Sequence, residues 1–215
     1  MARVVAINAG PRKGWNTDQL VDAAAQGTKE AGAEVDYIDL FKLEKYTGCV
    51  SCFACKREGS FGKCACRDGL FDVLEKIRQA DALIIGSPVY LGQPTASFRA
   101  LYERLVFQYL TYNKERPCCN EHLIPTLLIL TSNCPEEAFD AVGMTPMIEG
   151  YKGLLSGFVG PTEIFACGDT LQVNDYSKYD WTVFNPAAKQ AHHDATFGDY
   201  LARAKEAGAG LLAAE

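Results

Sequence analysis

The chain has 215 residues, of which 48% are hydrophobic and 22% charged, as is typical of a globular protein. Its net charge of −6 argues against nucleic-acid binding, which needs a basic surface, but still allows an anionic cofactor held by local cations and backbone N–H groups. We see neither a signal peptide nor an apolar run approaching the roughly 20 residues of a membrane-spanning helix, so we expect a cytoplasmic protein with reduced thiols and no membrane partner.

Strand-like and helix-like segments alternate along the chain. Strands are predicted at 3–7, 35–40, 82–86, 126–130 and 162–166, and helices from 16 or 17 and at 70–79, 96–110, 144–155 and 187–214. This alternation favours an α/β fold, with a parallel sheet covered by helices on both faces. The polar alternation at 35–40 suits an edge strand, and the apolar run at 82–86 suits a central one.

We therefore predict a flavodoxin-like, doubly wound sheet of five strands in the order 2-1-3-4-5, with a ligand crevice at the carboxyl ends of strands one and three. One domain is expected over residues 1–215. It would include a cysteine-rich insertion at 48–69 and an irregular C-terminal arm at 168–186.

The loop after the first predicted strand, NAGPRKGWNT at residues 8–17, suits a phosphate group. It leads directly into a helix N-terminus, where unpaired N–H groups and the helix dipole attract an anion. Gly10 and Gly14 permit close backbone approach, Arg12 offers a fork of donors, and Asn16 or Thr17 could cap the helix. The spacing matches neither a P-loop nor a G-x-G-x-x-G loop, and a plain surface turn is the alternative.

A second loop, GSPVYLGQPT at residues 86–95, follows the predicted central strand. Its proline and tyrosine offer a flat apolar wall beside free backbone amides, which suits a planar ring with polar edges. Tyr90 could instead belong to the core.

These stretches give the chain a likeness to a known family. The loop at 8–17, the loop and helix at 86–105, and the segment at 175–211 resemble those of NAD(P)H-dependent FMN reductases of the flavodoxin-like superfamily, and within them the iron–sulfur flavoproteins. The resemblance implies FMN as cofactor. The residues it assigns to FMN are Asn8, Gly10, Pro11, Arg12, Asn16, Thr17, Ser87, Pro88, Val89, Tyr90, Leu91 and Gly92. Where the family usually has glycine, serine and glycine, this chain has Ala9, Gly10 and Trp15, and Trp15 could pack over the cofactor.

The insertion GCVSCFACKREGSFGKCACRDG holds five of the nine cysteines. The C-x-x-C-x-x-C run of Cys49, Cys52 and Cys55 can place three thiolates on one 4Fe–4S cluster, and Cys64 or Cys66 would be the fourth ligand. We take Cys64 as that ligand. Iron–sulfur flavoproteins have a compact motif of this type at this place in the chain, although the gap between Cys55 and Cys64 is longer here.

Other interpretations of the cysteines stay open. A four-cysteine zinc site usually draws on two separated C-x-x-C pairs, and disulfides are disfavoured in a reducing compartment. Buried thiols without a metal are a third alternative. Among the remaining residues with metal-binding side chains, Cys118, Cys119, Cys134 and Cys167 are interpreted mainly as core or loop thiols, and His122, His192 and His193 as surface residues.

The resemblance implies an FMN-dependent oxidoreductase that passes electrons from NAD(P)H to a quinone-like, small-molecule or protein acceptor, without a catalytic acid or base. A cluster would favour a ferredoxin-like protein partner. A flavodoxin-type electron carrier and a cysteine-based metal-binding or sensor protein are the alternatives. The resemblance also implies a homodimer or homotetramer, in which the arm either crosses to another subunit or packs on its own domain.

Overall fold

The computed structural model describes residues 1–213. A parallel sheet lies at its centre, with the long strands in the order β2-β1-β3-β5-β6, and a short β4 pairs antiparallel with the end of β3. The strands are β1 (Arg3–Asn8), β2 (Glu34–Asp39), β3 (Ala82–Tyr90), β4 (Gln93–Pro94), β5 (Thr126–Thr131) and β6 (Thr162–Cys167). The five long strands correspond to the five predicted strands. The predicted fold class and strand order are therefore confirmed.

Five helices cover the two faces of the sheet: α1 (Asn16–Glu30), α2 (Phe71–Arg78), α3 (Ala96–Tyr109), α4 (Met144–Phe158) and α5 (Pro186–Gly210). Successive strand residues point to opposite faces, so β1 sends Val4 to one core and Val5 to the other. Helices α1 and α5 bury the Val4 face, and α2, α3 and α4 bury the Val5 face. No helix in this part of the chain is both long and apolar enough to cross a membrane.

Helices α1 and α5 meet backbone to backbone through two buried glycines. A Cβ atom on Gly27 would lie 1.9 Å from the carbonyl oxygen of Lys205, and one on Gly208 would lie 2.0 Å from that of Ala24. Both distances are far below a van der Waals contact. Only glycine at these two positions permits the observed packing of the last helix on the first.

The predicted cap of α1 is wrong. Trp15 precedes the helix in an extended conformation and makes no side-chain cap, while Asn16 and Thr17 already lie within the first turn. The carboxylate of Asp18 instead accepts a hydrogen bond from the N–H of Gly14, at 2.7 Å. The carboxylate in the first turn, which the helix dipole favours, thus holds the loop before the helix and leaves the first-turn N–H groups uncapped.

The segment 86–95 is a β-hairpin rather than a loop. Strand β3 continues to Tyr90, because its end pairs with β5 and then with β4. Leu91 and Gly92 form the turn with φ values of 52° and 76°. A two-residue hairpin turn of this kind needs positive φ at both positions, which leucine seldom adopts, so the sequence did not indicate it.

Two smaller differences concern α5. The helix ends at Gly210, and the predicted final residue Ala214 lies outside the described residues. His122 is exposed as predicted, whereas His192 and His193 on α5 are partly covered. The ring of His193 stacks on Phe197 with centroids 4.7 Å apart, which reduces the solvent exposure of this histidine.

Candidate functional site

A cleft opens at the carboxyl ends of β1, β3 and β5, where the topology predicted a ligand crevice. The residues around it are Gly10, Pro11, Arg12, Trp15, Asn16, Thr17, Pro88, Val89, Tyr90, Thr131, Asn133, Thr170, Leu171 and Gln172. Most of the residues that the resemblance assigns to FMN therefore lie together around one cleft.

Four of those assigned residues lie beside the cleft instead of lining it. Asn8 is buried beneath the loop, where its Oδ1 accepts a hydrogen bond from the N–H of Gly10 at 2.9 Å. Ser87 is also buried, and its Oγ accepts from the N–H of Thr95 at 3.0 Å. Leu91 and Gly92 form the hairpin turn, in which the side chain of Leu91 is fully exposed.

The loop at 8–17 is held in shape by the buried carboxylate of Asp18. Besides Gly14, this carboxylate accepts hydrogen bonds from the hydroxyl of Tyr37 at 2.6 Å and from Nδ2 of Asn8 at 3.1 Å. Burial, together with the hydrogen bond to Asp18, raises the pKa of Tyr37, so its hydroxyl remains a donor. Sequence patterns gave no sign of this network, since it joins the loop to a residue on the edge strand β2.

The near end of the cleft offers hydrogen-bond donors to an anion. The first-turn N–H groups of α1 have no intrahelical acceptor. Beside them, Oγ1 of Thr17 lies 2.7 Å from Oγ1 of Thr131, so it can accept from Thr131 while donating to a ligand. The guanidinium of Arg12 packs 4.1 Å from the ring centroid of Trp15 and donates to the carbonyl oxygen of Gln172.

Asn16 has a different role from the one expected of it. The wall of the cleft opposite the loop at 8–17 is formed by Thr131, Asn133 and residues 170–172, and we call it the far wall. Nδ2 of Asn16 donates to the carbonyl oxygen of Leu171 at 2.8 Å, so this side chain fixes the far wall. The C-terminal arm thus supplies residues 170–172 to the cleft of its own chain. The rest of the arm folds into an aromatic cluster, in which Tyr179 and Trp181 stack with centroids 4.4 Å apart.

The far wall carries two buried acceptors. Oδ1 of Asn133 and Oε1 of Gln172 have no hydrogen-bond partner within residues 1–213. Leaving such an atom unpaired costs about 1–3 kcal/mol, so both positions fit a ligand that brings N–H or O–H donors. FMN matches this set of groups. It has a phosphate for the donors at the near end, and ribityl hydroxyls and a ring N–H for these acceptors.

The sequence missed the far-wall residues Thr131, Asn133 and 170–172. The topology does predict that the loops after the fourth and fifth strands line the crevice, together with those after strands one and three. The far-wall residues lie at the carboxyl ends of those strands, but no motif singled them out.

A second, small cavity lies between the cysteine-rich insertion and the C-terminal half of α3. Its wall on the helix side is made by Arg104, Phe107 and Gln108. All the cysteines of the insertion line it, namely Cys49, Cys52, Cys55, Cys64 and Cys66. The structure therefore brings the four predicted metal ligands around one space.

The insertion is sharply bent around Cys52. Ser51 and Phe53, on either side of it, have positive φ values of 52° and 55°. Each such residue costs on the order of 1–3 kcal/mol, and the bend directs successive cysteines toward one cavity. The ring of Phe53 packs edge-on against Phe107 with centroids 5.8 Å apart, which docks the insertion on α3.

The thiols are too far apart for a single metal ion. No three histidine, cysteine or acidic side chains within residues 1–213 come close enough to coordinate one ion. A mononuclear zinc site needs four ligands at about 2.0–2.3 Å from the metal. A cubane of iron and sulfide needs four cysteine ligands, and the insertion supplies that number around one cavity.

The two candidates for the fourth ligand differ in their surroundings. Nε of Arg104 donates to Sγ of Cys64 at 3.4 Å, whereas Sγ of Cys66 lies 3.7 Å from a carboxylate oxygen of Asp68. Arg104 is almost fully buried and forms an ion pair with Asp68 at 2.6 Å. The guanidinium of Arg104 therefore contacts the sulfur of Cys64 but only the carbonyl oxygen of Cys66, whose sulfur is beside Asp68.

The cysteines outside the insertion line neither the cleft nor this cavity. Cys167 is fully buried in the core beneath α1 and α5, and burial raises its pKa to about 12. Cys134 is partly buried, with its Sγ 3.5 Å from the carbonyl oxygen of Pro135. Cys118 and Cys119 pack at the edge of the other core.

Comparison with known proteins matches the first half of the chain to one family. Residues 2–120 match the model of the family described as NADPH-dependent FMN reductase. An iron–sulfur flavoprotein of Methanosarcina thermophila is 36% identical over 104 residues, which is 48% of this chain and 52% of that protein. One of Methanocaldococcus jannaschii is 37% identical over 102 residues, or 47% of this chain and 51% of that protein. The chain thus aligns with about half the length of these curated relatives.

Solved structures share the fold across the whole chain. An NAD(P)H:quinone oxidoreductase from Methanothermobacter marburgensis has a TM-score of 0.69 at 16% identity, covering 100% of this chain and 98% of its own. An azoreductase from Bacillus anthracis has the same TM-score of 0.69 at 15% identity, covering 97% and 99%. These identities show the fold alone. The family match covers more than half of the chain and includes the cleft's near wall and the cysteine-rich insertion, and on this ground the chain belongs to the NADPH-dependent FMN reductase family.

Proposed function

We propose that this chain is an FMN-dependent oxidoreductase that takes electrons from NAD(P)H and passes them to a quinone-like, small-molecule or protein acceptor. One observation carries the proposal. The cleft combines a helix N-terminus and Arg12 with the buried, unpaired acceptors of Asn133 and Gln172. The family membership supports the same cofactor.

FMN would supply the hydride and electron-transfer chemistry, and the protein would bind and orient it. Thr17 and the first-turn N–H groups would hold the phosphate. Pro88 and Val89 give an apolar wall, and the carboxamides of Asn133 and Gln172 would orient polar groups of the cofactor. This arrangement needs no catalytic acid or base, and the described residues around the cleft include no histidine or carboxylate.

We also propose that Cys49, Cys52, Cys55 and Cys64 hold a 4Fe–4S cluster. The shared cavity supports this assignment, as does the naming of the curated relatives as iron–sulfur flavoproteins. We choose Cys64 over Cys66 because a thiolate is better stabilised beside the buried guanidinium of Arg104 than beside the carboxylate of Asp68. Such a cluster would carry single electrons and suit a ferredoxin-like partner.

A homodimer or homotetramer remains our proposal for the assembly. The arm packs on its own chain, and its stacked Tyr179 and Trp181 are still 47% and 39% exposed. Exposed aromatic surface of this kind is frequent at protein interfaces. Light scattering on the purified protein would determine the mass, and a monomer would contradict the proposal.

The flavin proposal is tested by anaerobic purification, reconstitution with FMN and rapid mixing with NADPH. Bound FMN should give absorption bands at about 375 and 450 nm, and NADPH should bleach the 450 nm band. A protein that binds FMN but is not bleached by NADPH would be an electron carrier of the flavodoxin type. A protein that stays colourless with excess FMN would contradict flavin binding altogether.

The cluster assignment is tested by comparing Cys64→Ser with Cys66→Ser after anaerobic reconstitution with iron and sulfide. We expect Cys66→Ser to keep the iron content and the broad absorbance at about 400 nm, and Cys64→Ser to lose both. The opposite pattern would make Cys66 the fourth ligand. Wild-type protein that binds zinc but no iron would favour the metal-binding or sensor alternative.

A further inference from the structure

Two polar side chains one turn apart on α3 face the cysteine cavity. Arg104 and Gln108 are four residues apart, so they lie on the same side of the helix. Their side chains are almost completely buried, at 2% and 3% exposure for the residues. Buried polar groups normally have partners, and the partners of these two show what the cavity is built to hold.

The carboxamide of Gln108 is hydrogen-bonded through its oxygen but not through its nitrogen. Its Oε1 accepts a hydrogen bond from the N–H of Cys64 at 3.2 Å, which fixes the orientation of the carboxamide. Its Nε2 must then be the donor, and it has no acceptor anywhere in the described chain. The cavity is therefore lined by a buried N–H₂ group that lacks an acceptor and by five cysteines.

Arg104 brings a positive charge to the same wall. Its Nε donates to Sγ of Cys64 at 3.4 Å, and its other nitrogens donate to Asp68 at 2.6 Å and to the carbonyl oxygen of Cys66 at 2.8 Å. The ion pair with Asp68 holds the guanidinium in place, so it has little freedom to turn away from the cavity.

We propose that Gln108 and Arg104 are positioning residues of the 4Fe–4S cluster, and that they donate hydrogen bonds to its sulfur atoms and raise its reduction potential. Gln108 would use its free Nε2, and Arg104 would act on the sulfur of Cys64. Reduction adds one electron to an already anionic cluster. Donors to sulfur and a nearby cation stabilise the more negative state, so they favour reduction. This inference rests on the proposed cluster function.

The test is a redox titration of reconstituted protein, in which dithionite supplies the electrons and electron paramagnetic resonance follows the reduced cluster. Gln108→Met removes the donor at similar length, and Gln108→Glu keeps the acceptor for Cys64 while replacing the N–H₂ group. Arg104→Lys keeps the charge but loses the fork of donors. Gln26→Met, at an exposed position on α1, is the matched control.

We expect each Gln108 variant to hold its iron and to show a roughly tenfold lower ratio of reduced to oxidised cluster at the wild-type midpoint, a shift of about 59 mV for one electron. Arg104→Lys should shift the midpoint in the same direction, and Gln26→Met should leave it unchanged.

Gln108 and Arg104 variants with full iron content and the wild-type midpoint would overturn the inference while leaving the cluster in place. If Gln108→Met loses its iron, its reduction potential cannot be measured. The midpoint potentials of Gln108→Glu and Arg104→Lys then test the inference. Wild-type protein that takes up no iron would instead refute the cluster, and the inference would fall with it. The iron analysis of the wild type therefore separates the two failures.

Discussion

Replacing Thr17 with valine removes one hydroxyl from the first turn of α1 and keeps the shape of the side chain. In the structure this hydroxyl lies at the near end of the cleft, 2.7 Å from the hydroxyl of Thr131. If it donates to the phosphate of FMN, valine at this position should weaken FMN binding. The affinity for riboflavin, which has no phosphate, should not change.

The size of the effect follows from the charge on the phosphate. A hydrogen bond to a charged group contributes about 1.5–3 kcal/mol, which corresponds to a roughly 10- to 100-fold rise in the dissociation constant for FMN. The substitution also leaves the hydroxyl of Thr131 without its partner. We therefore expect a separate loss of about 1 kcal/mol in the free energy of unfolding.

The same helix provides a matched control. Thr28 is buried on α1 far from the cleft, and its Oγ1 donates to the carbonyl oxygen of Ala25 at 2.8 Å. Thr28→Val should lose similar stability without weakening FMN binding. Quenching of flavin fluorescence during titration of the apoprotein gives both affinities. Equal FMN affinities for the two variants, or an equal loss for FMN and riboflavin, would refute the phosphate site at α1.

Three further predictions concern stability. Burial raises the pKa of Cys167 to about 12, whereas a cysteine thiol in the unfolded chain has a pKa of about 8.5. Between these two pH values the thiol of Cys167 loses its proton only in the unfolded state. The free energy of unfolding should therefore fall with rising pH by up to about 1.4 kcal/mol per pH unit, and Cys167→Ala should reduce this slope. Gly208→Ala should cost about 1–3 kcal/mol by separating α1 and α5, whereas Gly198→Ala, on the same helix with open space around it, should gain about 0.5–1 kcal/mol. Tyr37→Phe removes the hydroxyl that donates to Asp18 and should cost about 1 kcal/mol, together with some FMN affinity.

Denaturant unfolding at several pH values measures all three. An unchanged alkaline slope in Cys167→Ala would show that this thiol ionises freely in the folded protein. Equal stabilities of Gly208→Ala and Gly198→Ala would contradict the close approach of the two helices. A Tyr37→Phe variant as stable as the wild type would mean that water replaces the hydroxyl at Asp18.

The order of the sheet was predictable because each buried strand is a short apolar run between polar loops. Residues 82–86 and 127–130 are apolar throughout, as strands covered on both faces must be, while the alternation at 35–40 marks an edge. The hairpin after β3 was not predictable, since it depends on Leu91 in a left-handed conformation. Intrinsic preference opposes that conformation, and the pairing of β3 with β4 imposes it.

The candidate site was predictable only where it is local in sequence. The phosphate loop and the cysteine motif are contiguous. The residue types and the place of the loop before a helix suggested its chemistry, and the cysteine spacing suggested that of the motif. The network of Asp18 with Tyr37, and the wall of Arg104 and Gln108, join residues that are far apart in the chain or separated by a whole element. Side-chain contacts of this kind leave no periodic pattern.

The two ends of the cleft come from different halves of the chain. The family match at residues 2–120 includes the loop at 8–17 and the hairpin, whereas Asn133 and Gln172 lie beyond it. The donor groups at the start of α1 and the two unpaired acceptors are thus encoded in separate parts of the chain. A change confined to the region after β5 would alter the far wall of the cleft and leave the loop at 8–17 and the hairpin unchanged.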